Sequence, residues 1–297
     1  MSSQSPKQIY CIVKTTAQEY YQSKPDLSDK FPGLTTSMKK RIAQSHANHH
    51  KLLEYFTQLC VEFGISLQLV PENEIDNFSP RQDDPIFSFG GDGTFLSCAM
   101  RFLVNPIIGI NSDYRRIDSS KGSYGALTTL NFINLKKGLK KIAEGKYGIE
   151  EWHRLNVKIN GKSVEKYAVN DIYIGNQRAY KTSDLTTKVE KQYENFLCSG
   201  IVCCTGMGSH AWHKAAGGSP FSNSIKTFGF IVLAPNPKKK YQYTSGIISG
   251  ENSIEIRPNR PDYVVNFDSS DDCIPLTIGD VISITLSKKF PVKVIVP

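Results

Sequence analysis

No apolar run in this sequence approaches the roughly 18–20 residues that a membrane span requires, so neither a crossing helix nor a membrane partner is expected. No Cys-x-x-Cys pair occurs, and the seven cysteines (Cys11, Cys60, Cys98, Cys198, Cys203, Cys204, Cys273) are an odd number set mostly inside apolar runs. That pattern argues against a disulfide framework and against a thiolate zinc site; buried free thiols in a reducing compartment account for it most simply. Internal repeats and low-complexity tracts are missing too. Met1-Ser2-Ser3-Gln4 leads almost directly into the apolar run Ile9 to Val13, without room for a signal peptide or an Arg-rich transit segment. The expected address is therefore cytoplasmic, or mitochondrial if a presequence has been removed.

Positive charge is in excess, at +8, which suits nucleic acid, an anionic membrane surface or an anionic small substrate. The basic residues are scattered, however. The densest groups (Lys39-Lys40-Arg41, Lys136-Lys137 with Lys140-Lys141, and Lys238 to Lys240) read as solvated helix faces and a loop, and no nucleic-acid partner is expected.

The 297 residues suggest two domains. The first half alternates strand and helix signals. Ile9 to Val13 reads as a strand, Thr36 or Ser37 as the cap of a long helix to Phe63, with Leu52/Leu53, Phe56, Leu59/Cys60 and Phe63 as its core face. Gly64 stops that helix. Strands follow at Ile65 to Val70, Ile86 to Phe89 and Pro106 to Ile110, with helices at Thr94 to Leu103 and Phe132 to Glu144. Such alternation implies a Rossmann-like, parallel, doubly wound sheet. From about Glu150 strands dominate: Trp152 to Ile159, Lys166 to Gly175, Ser183 to Lys191, Phe196 to Cys204, Phe228 to Leu233, Ser253 to Arg257, Tyr263 to Phe267 and two final runs. Asn160-Gly161 is a strong hairpin signal. The expectation is an α/β domain over 1–146 and a mainly antiparallel β-sandwich domain over 147–297, the last strand packing back on the first domain.

The most informative stretch is Pro85-Ile86-Phe87-Ser88-Phe89-Gly90-Gly91-Asp92-Gly93-Thr94-Phe95-Leu96. An apolar strand runs into three glycines, one Asp and one Thr, and then into an apolar helix. Glycines let backbone N–H groups face outward, and a helix start adds its dipole and unpaired amides, a combination suited to phosphate oxygens. Asp92 repels phosphate, so its presence calls for a chemical role, either taking a proton from an attacking hydroxyl or holding a metal that bridges phosphates. An aspartate that merely capped the helix would not require glycines on both sides. The loop is neither Gly-x-Gly-x-x-Gly nor a Walker loop.

Gly-Gly-Asp-Gly-Thr recurs in NAD kinases, diacylglycerol and sphingosine kinases and, with Ser, phosphofructokinases. Three further segments resemble the NAD kinase family in the order that family shows them: Pro106-Ile107-Ile108-Gly109-Ile110-Asn111; Ala168-Val169-Asn170-Asp171-Ile172-Tyr173-Ile174-Gly175; and Ser199-Gly200-Ile201-Val202-Cys203-Cys204-Thr205-Gly206-Met207-Gly208-Ser209-His210-Ala211-Trp212, with Gly217-Gly218 after it. Val13-Lys14-Thr15-Thr16, Asn111-Ser112-Asp113 and Thr205 to Trp212 look like the mitochondrial-type branch. Against the family's common form, Met207 replaces Thr or Ser, His210 replaces Thr, Trp212 replaces Tyr and Ser199 replaces Asp, and the usual Pro-His-Ser/Thr is missing, with Pro235-Asn236-Pro237-Lys238 near its place.

The resemblance implies that NAD lies in a cleft between the domains and that its adenosine 2′-hydroxyl attacks the γ-phosphate of ATP, with Mg²⁺ or another divalent cation bridged through the donor phosphates and no dedicated protein metal site. Asp92 would accept the proton, and Gly90, Gly91, Gly93 and Thr94 would cradle the donor phosphates. Asn170 and Asp171 would meet ribose hydroxyls or the carboxamide, Ala211 and Trp212 would line the adenine site with His210, Met207 and Ala215 nearby, and Ser199 would complete the set without a clear role. The branch implies a homodimer. Arg115, Arg116 and Lys121 balance phosphate charge or are plain loop charges. His46 and His50, at i and i+4, lack the Glu of His-Glu-x-x-His and are not expected to bind metal; His153 and His213 read as structural. Two rivals remain: a lipid kinase, which would share the loop though the Gly-Thr-Ala/Gly-Asn-Asp element is missing, and a catalytically silent NAD(P)-binding regulator.

Overall fold

The computed structural model describes residues 8–24, 33–114 and 123–297, so Arg115, Arg116 and Lys121 lie outside the described residues. The chain divides into two compact units, one running to Glu150 with Lys293–Pro297 added, the other Glu151–Val292.

In the first unit the elements are β1 (Gln8–Val13), α1 (Ala17–Ser23), α2 (Thr36–Glu62), β2 (Ser66–Pro71), β3 (Ile86–Gly90), α3 (Asp92–Arg101), β4 (Ile107–Asn111), β5 (Leu130–Asn131), α4 (Leu135–Ala143) and β6 (Gly148–Trp152). The seven-stranded sheet has the order β2-β1-β3-β4, continues through a strand from the far end of the sequence, β19 (Val292–Val296), to β6, and carries β5 on β4. β2, β1, β3, β4 and β5 pair in parallel. β3 and β4 are buried along their whole length, as strands covered on both faces must be. α2 buries His49, Leu52, Phe56, Leu59 and Cys60 against them, with Leu53 and Phe63 half-buried. Its cap is Thr35, one residue before the expected pair, whose hydroxyl accepts from Met38 N–H.

The second unit comprises β7 (Leu155–Ile159), β8 (Lys162–Ala168), β9 (Asp171–Asn176), β10 (Ser183–Val189), β11 (Gln192–Cys198), β12 (Gly200–Cys204), α5 (Trp212–Ala215), β13 (Thr227–Leu233), β14 (Ser245–Ser249), β15 (Ile254–Pro258), β16 (Tyr263–Phe267), β17 (Ile274–Leu276) and β18 (Ile282–Leu286). Two six-stranded sheets result, β11-β10-β15-β18-β7-β8 and β14-β13-β12-β9-β16-β17. Neighbouring strands in both sheets pair antiparallel, and the inner faces share one core through Phe196, Ile201, Cys203, Val265, Ile256 and Ile284. The α/β plus antiparallel-β architecture expected from the sequence is therefore present. Asn160 and Gly161 both have positive φ and turn β7 into β8, the type I′ signature.

Three long strands expected in this half are each two. Trp152 to Ile159 breaks at His153-Arg154, Lys166 to Gly175 at Val169-Asn170, and Phe196 to Cys204 at Ser199. At the second break the backbone N–H groups leave the sheet ladder because the Asp268 carboxylate takes them. β14 is not foreshadowed by the sequence pattern; its Ser- and Gly-bounded Ile247-Ile248 is too short an apolar run to stand out. Six of the seven cysteines are buried and all are free. Among the described residues no helix is long and apolar enough to cross a membrane.

Candidate active site

β3 ends at Gly90 and α3 begins at Asp92, two residues earlier than expected, with Gly91 as its cap. Asp92 is thus the first residue of a ten-residue helix rather than a loop residue. Both its carboxylate oxygens are engaged: Oδ2 accepts from Ala126 N–H at 3.0 Å and Oδ1 from Leu127 N–H at 2.8 Å. A carboxylate has about four lone-pair positions, so two of these bonds anchor the 125–127 turn while leaving acceptor capacity.

Gly90 is fixed by its surroundings, since a Cβ there would lie 2.3 Å from Thr94 Oγ1 and 3.0 Å from Lys14 Cβ. Gly93 is not: a Cβ there meets nothing within 4 Å. Its place in the exposed first turn of α3, where amides lack intrahelical partners, is what a phosphate oxygen approaching the backbone requires. The Thr94 side chain turns inward. It is buried, and its hydroxyl points back onto Glu72 Oε2 at 3.4 Å, beside Ser97 Oγ on Glu72 Oε1 at 3.0 Å. Because the helix starts at Asp92, its third residue faces the core, and only the Thr94 backbone faces the turn. Past β4, Asn111 is buried, with its amide on Ser123 O and its carbonyl taking Asp113 N–H. Ser112 Oγ lies 2.9 Å from Nδ1 of buried His49. Burial, with the His50 charge second, lowers the His49 pKa to about 4.

In the second unit, the break between β8 and β9 presents Asn170 and Asp171. Asp268 holds this break open: Oδ2 accepts from Val169 N–H at 2.7 Å, and Oδ1 from Asn170 N–H at 2.7 Å and Asp171 N–H at 3.0 Å. Thr205 completes the clamp, its Oγ1 donating to Val169 O at 2.5 Å, its N–H to Asn170 O at 3.0 Å, and Oγ1 accepting from Gly208 N–H at 3.1 Å. Gly208 passes so close that a Cβ would sit 1.8 Å from Asn170 O. Asn170 and Asp171 are thereby brought against Thr205 to His210. Among the described residues, Asn170 Oδ1 is buried without a hydrogen-bond partner, an acceptor left for something else to fill.

Charge here is unusual. Burial, with the neighbouring Asp268 charge second, pushes the Asp171 carboxyl up to about 7. Burial also pushes Asp268 up to about 6, against the Val169, Asp171 and Asn170 amides and the Arg154 charge, which act the other way. Arg154 is 1% exposed, and burial lowers its pKa to about 10 against the attraction of Asp268. Neither Arg154 nor Asp268 is among the residues expected from the sequence. Neither leaves a clear signal: Arg154 follows Glu150-Glu151-Trp152-His153 among other polar residues, and Asp268 sits in a polar stretch that singles out no residue.

The other expected residues divide. Met207 is half-buried, His210 and Ala211 are exposed on the turn leading into α5, and Ala215 is exposed at the end of α5. Trp212 stacks on Tyr173, ring centroids 5.4 Å apart and planes at 18°. Ser199 lies at the far end of the β9–β12 pair from Asp171, which is registered with Cys204. The Ser199 carbonyl accepts from Tyr173 Oη at 2.9 Å.

The NAD kinase of Clostridium botulinum (strain ATCC 19397 / Type A) is 32% identical over 235 residues, 76% of either chain. The chain belongs to the NAD kinase family. The family model for the ATP-NAD kinase C-terminal domain matches residues 149–296. An NAD kinase of Clostridium perfringens is 28% identical over 192 residues, and the chain spans 65% of that relative's length. In fold, the chain resembles the NAD kinase from Archaeoglobus fulgidus solved in complex with ATP (TM-score 0.65, 22% identity, 97% of this chain and 92% of that one). It also resembles yeast NADH kinase solved with NADH (TM-score 0.69, 18% identity, 99% and 84%).

For a member of the NAD kinase family, the empty space at Gly93 makes a direct prediction. Gly93→Ala should not lower the melting temperature, since the methyl group meets nothing and Ala favours a helix by about 0.8–1 kcal/mol over Gly. If donor phosphates approach this backbone, it should lower kcat/KM for the donor about 10–100-fold, the cost of about 1–3 kcal/mol for overfilling a close contact. Thermal melts run beside initial rates at varied donor concentration check this; an unchanged rate would show that no ligand approaches Gly93.

Proposed function

We propose that this protein transfers the γ-phosphoryl group of ATP to the adenosine 2′-hydroxyl of NAD, making NADP. The observation that carries this reading is the delivery by β3 of Gly90, Gly91, Asp92 and Gly93 into the amino end of α3, beyond the carboxyl ends of parallel strands, where anions collect. In the proposed step the 2′-oxygen attacks the γ-phosphorus, the bond from γ-phosphorus to the ADP oxygen breaks, ADP leaves, and the hydroxyl proton passes to the Asp92 carboxylate. Gly90, Gly91, Gly93 and the Thr94 backbone position the donor phosphates; the Thr94 hydroxyl takes no part. Magnesium carried with the donor would supply charge neutralisation there.

The acceptor is held by the second unit. The orphaned Asn170 Oδ1 suits a hydroxyl or carboxamide N–H of NAD, and Asp171, titrating near neutrality, suits a ribose hydroxyl. Met207, His210, Ala211, Trp212 and Ala215 form the proposed adenine side, with Ser199 steadying Trp212 through Tyr173. We further assign the chain to the mitochondrial-type branch on its Thr205 to Trp212 segment, infer a homodimer from that branch, and favour a cytoplasmic, reducing address on its free thiols.

The test is incubation of purified protein with ATP, Mg²⁺ and NAD, with NADP read through an NADP-specific dehydrogenase. NADP formation dependent on all three supports the reading. Silence with ATP, polyphosphate, NAD and NADH alike would sink it.

A further inference from the structure

The turn after β1 and the middle of α2 bring together three potential metal ligands that serve none of the steps above. Glu19 on α1 and His46 and His50 on α2 place one ligand atom each within 4.8 Å of one another. The two histidines lie on one helix face at i and i+4, their rings 4.3 Å apart. The carboxylate missing from α2 itself is supplied from a different helix, which is why sequence spacing alone does not reveal the cluster.

The hydrogen bonds settle which atoms are available. Thr16 Oγ1 has one proton, and it lies 2.8 Å from Glu19 Oε2, which can only accept. The contact of 2.9 Å between Thr16 Oγ1 and His46 Nδ1 therefore has the imidazole as donor. His46 is thus protonated on Nδ1, and its Nε2 carries the free lone pair. An imidazole with one ring nitrogen hydrogen-bonded and the other keeping its lone pair is the arrangement that supports metal-bound histidine. His50 Nε2 lies 2.9 Å from Glu19 Oε1, so a cation entering between them would displace only the proton they share. Tetrahedral zinc, with bonds of about 2.0–2.1 Å, needs ligand atoms roughly 3.3 Å apart, which side-chain rotation of His50 and Glu19, both partly exposed, provides.

We propose that Glu19, His46 and His50 form a zinc-class metal site, two imidazoles and one carboxylate with a fourth position open to water, that clasps α1 to α2. Imidazole and carboxylate together favour zinc, cobalt and nickel over magnesium and calcium. The site is separate from the Asp92 turn, yet coupled to it through the backbone. Thr16 is two residues from Lys14, whose N–H bonds Phe89 O at 3.0 Å and whose Cβ abuts Gly90.

Titration of untagged protein with Co²⁺ and with Zn²⁺ tests this. The expected result is one equivalent bound, visible d–d absorption of a low-coordinate N/O cobalt site, displacement of cobalt by zinc, and a rise in melting temperature with zinc. Glu19→Gln and His50→Gln should each abolish the absorption, whereas His153→Gln should not. Thr16→Val, which removes the acceptor for His46 Nδ1 together with the hydroxyl's bonds to Glu19 and its cap on α1, should weaken binding about 10–100-fold. Circular dichroism establishes that each variant is folded before titration. Binding that is weak and non-stoichiometric in the parent protein, or that survives His50→Gln unchanged, overturns the proposal.

Discussion

Asp92→Asn is expected to lower kcat by about 10²–10⁴, the worth of a positioned proton acceptor, with a smaller loss of stability. The stability term comes from the two bonds that the carboxylate accepts from Ala126 and Leu127. An asparagine keeps one acceptor but turns its NH₂ towards the other amide, leaving a donor unsatisfied at about 1–3 kcal/mol. Two mechanisms therefore compete to explain any activity loss, and the split between kcat and KM separates them. If Asp92 takes the proton, kcat falls while KM for the donor changes little. If displacement of the 125–127 turn is responsible, KM for the donor rises instead. Equal kcat in both proteins would remove Asp92 from the chemistry.

Asp268→Ala is expected to destabilise the second unit by about 3–5 kcal/mol, the range for deleting one partner from a buried charged network. Three backbone amides would lose their acceptor and Arg154 its neighbouring negative charge. Asp171→Asn should act in the opposite direction. An aspartate whose folded pKa of about 7 stands above its unfolded value of about 3.9 binds more protons when folded. Its contribution is present at acid pH and is lost as pH rises towards and through 7. The parent protein should accordingly melt lower at pH 8 than at pH 5.5 in its second unit. Asp171→Asn, which cannot ionise, should flatten that slope and raise the melting temperature at pH 8 by about 4 °C or more. His49 has the reverse sign in the first unit: its folded pKa of about 4 lies below the unfolded value, so its contribution is lost as pH falls from about 6.5 towards 4. Melts of the parent protein and both variants between pH 4 and 8 check these signs. A pH 8 melting temperature unaltered by Asp171→Asn would mean that Asp171 is not strained in the folded state.

What the sequence reveals tracks how local the determining physics is. β1, β3, β4, α2 and the Asn160-Gly161 turn are set by periodicity, apolar runs and backbone preference within a few residues, and each stands near its expected place. The boundaries around Asp92, Asn170 and Arg154 are set by distant partners. Leu127 and Ala126 fix the Asp92 carboxylate from 35 and 34 residues away, and Asp268 breaks the long strand at Asn170 from 98 residues away. No window of sequence contains both ends of such a bond. The motif residues are visible because glycine at Gly90 and Gly208 leaves a compositional trace. The half-buried Glu72 and the buried Asp268 leave little. The direction of the Thr94 side chain depends on a helix start displaced by two residues, which pattern alone does not resolve.

The insertion of β19 between β4 and β6 has a bearing on how this polypeptide matures during synthesis. Residues 151–292 are contiguous, so the second unit can gather its strands without waiting for a segment from elsewhere in the chain. The sheet that carries Asp92 has a gap in its order until residues 292–296 have been made, although most of its strands emerge first. On the ribosome, β6 waits beside a missing neighbour for about 140 residues of chain growth, and contacts of such sequence separation are slow to form. The interval is a window in which an unpaired strand edge awaits its partner, and in which a chaperone would find its substrate.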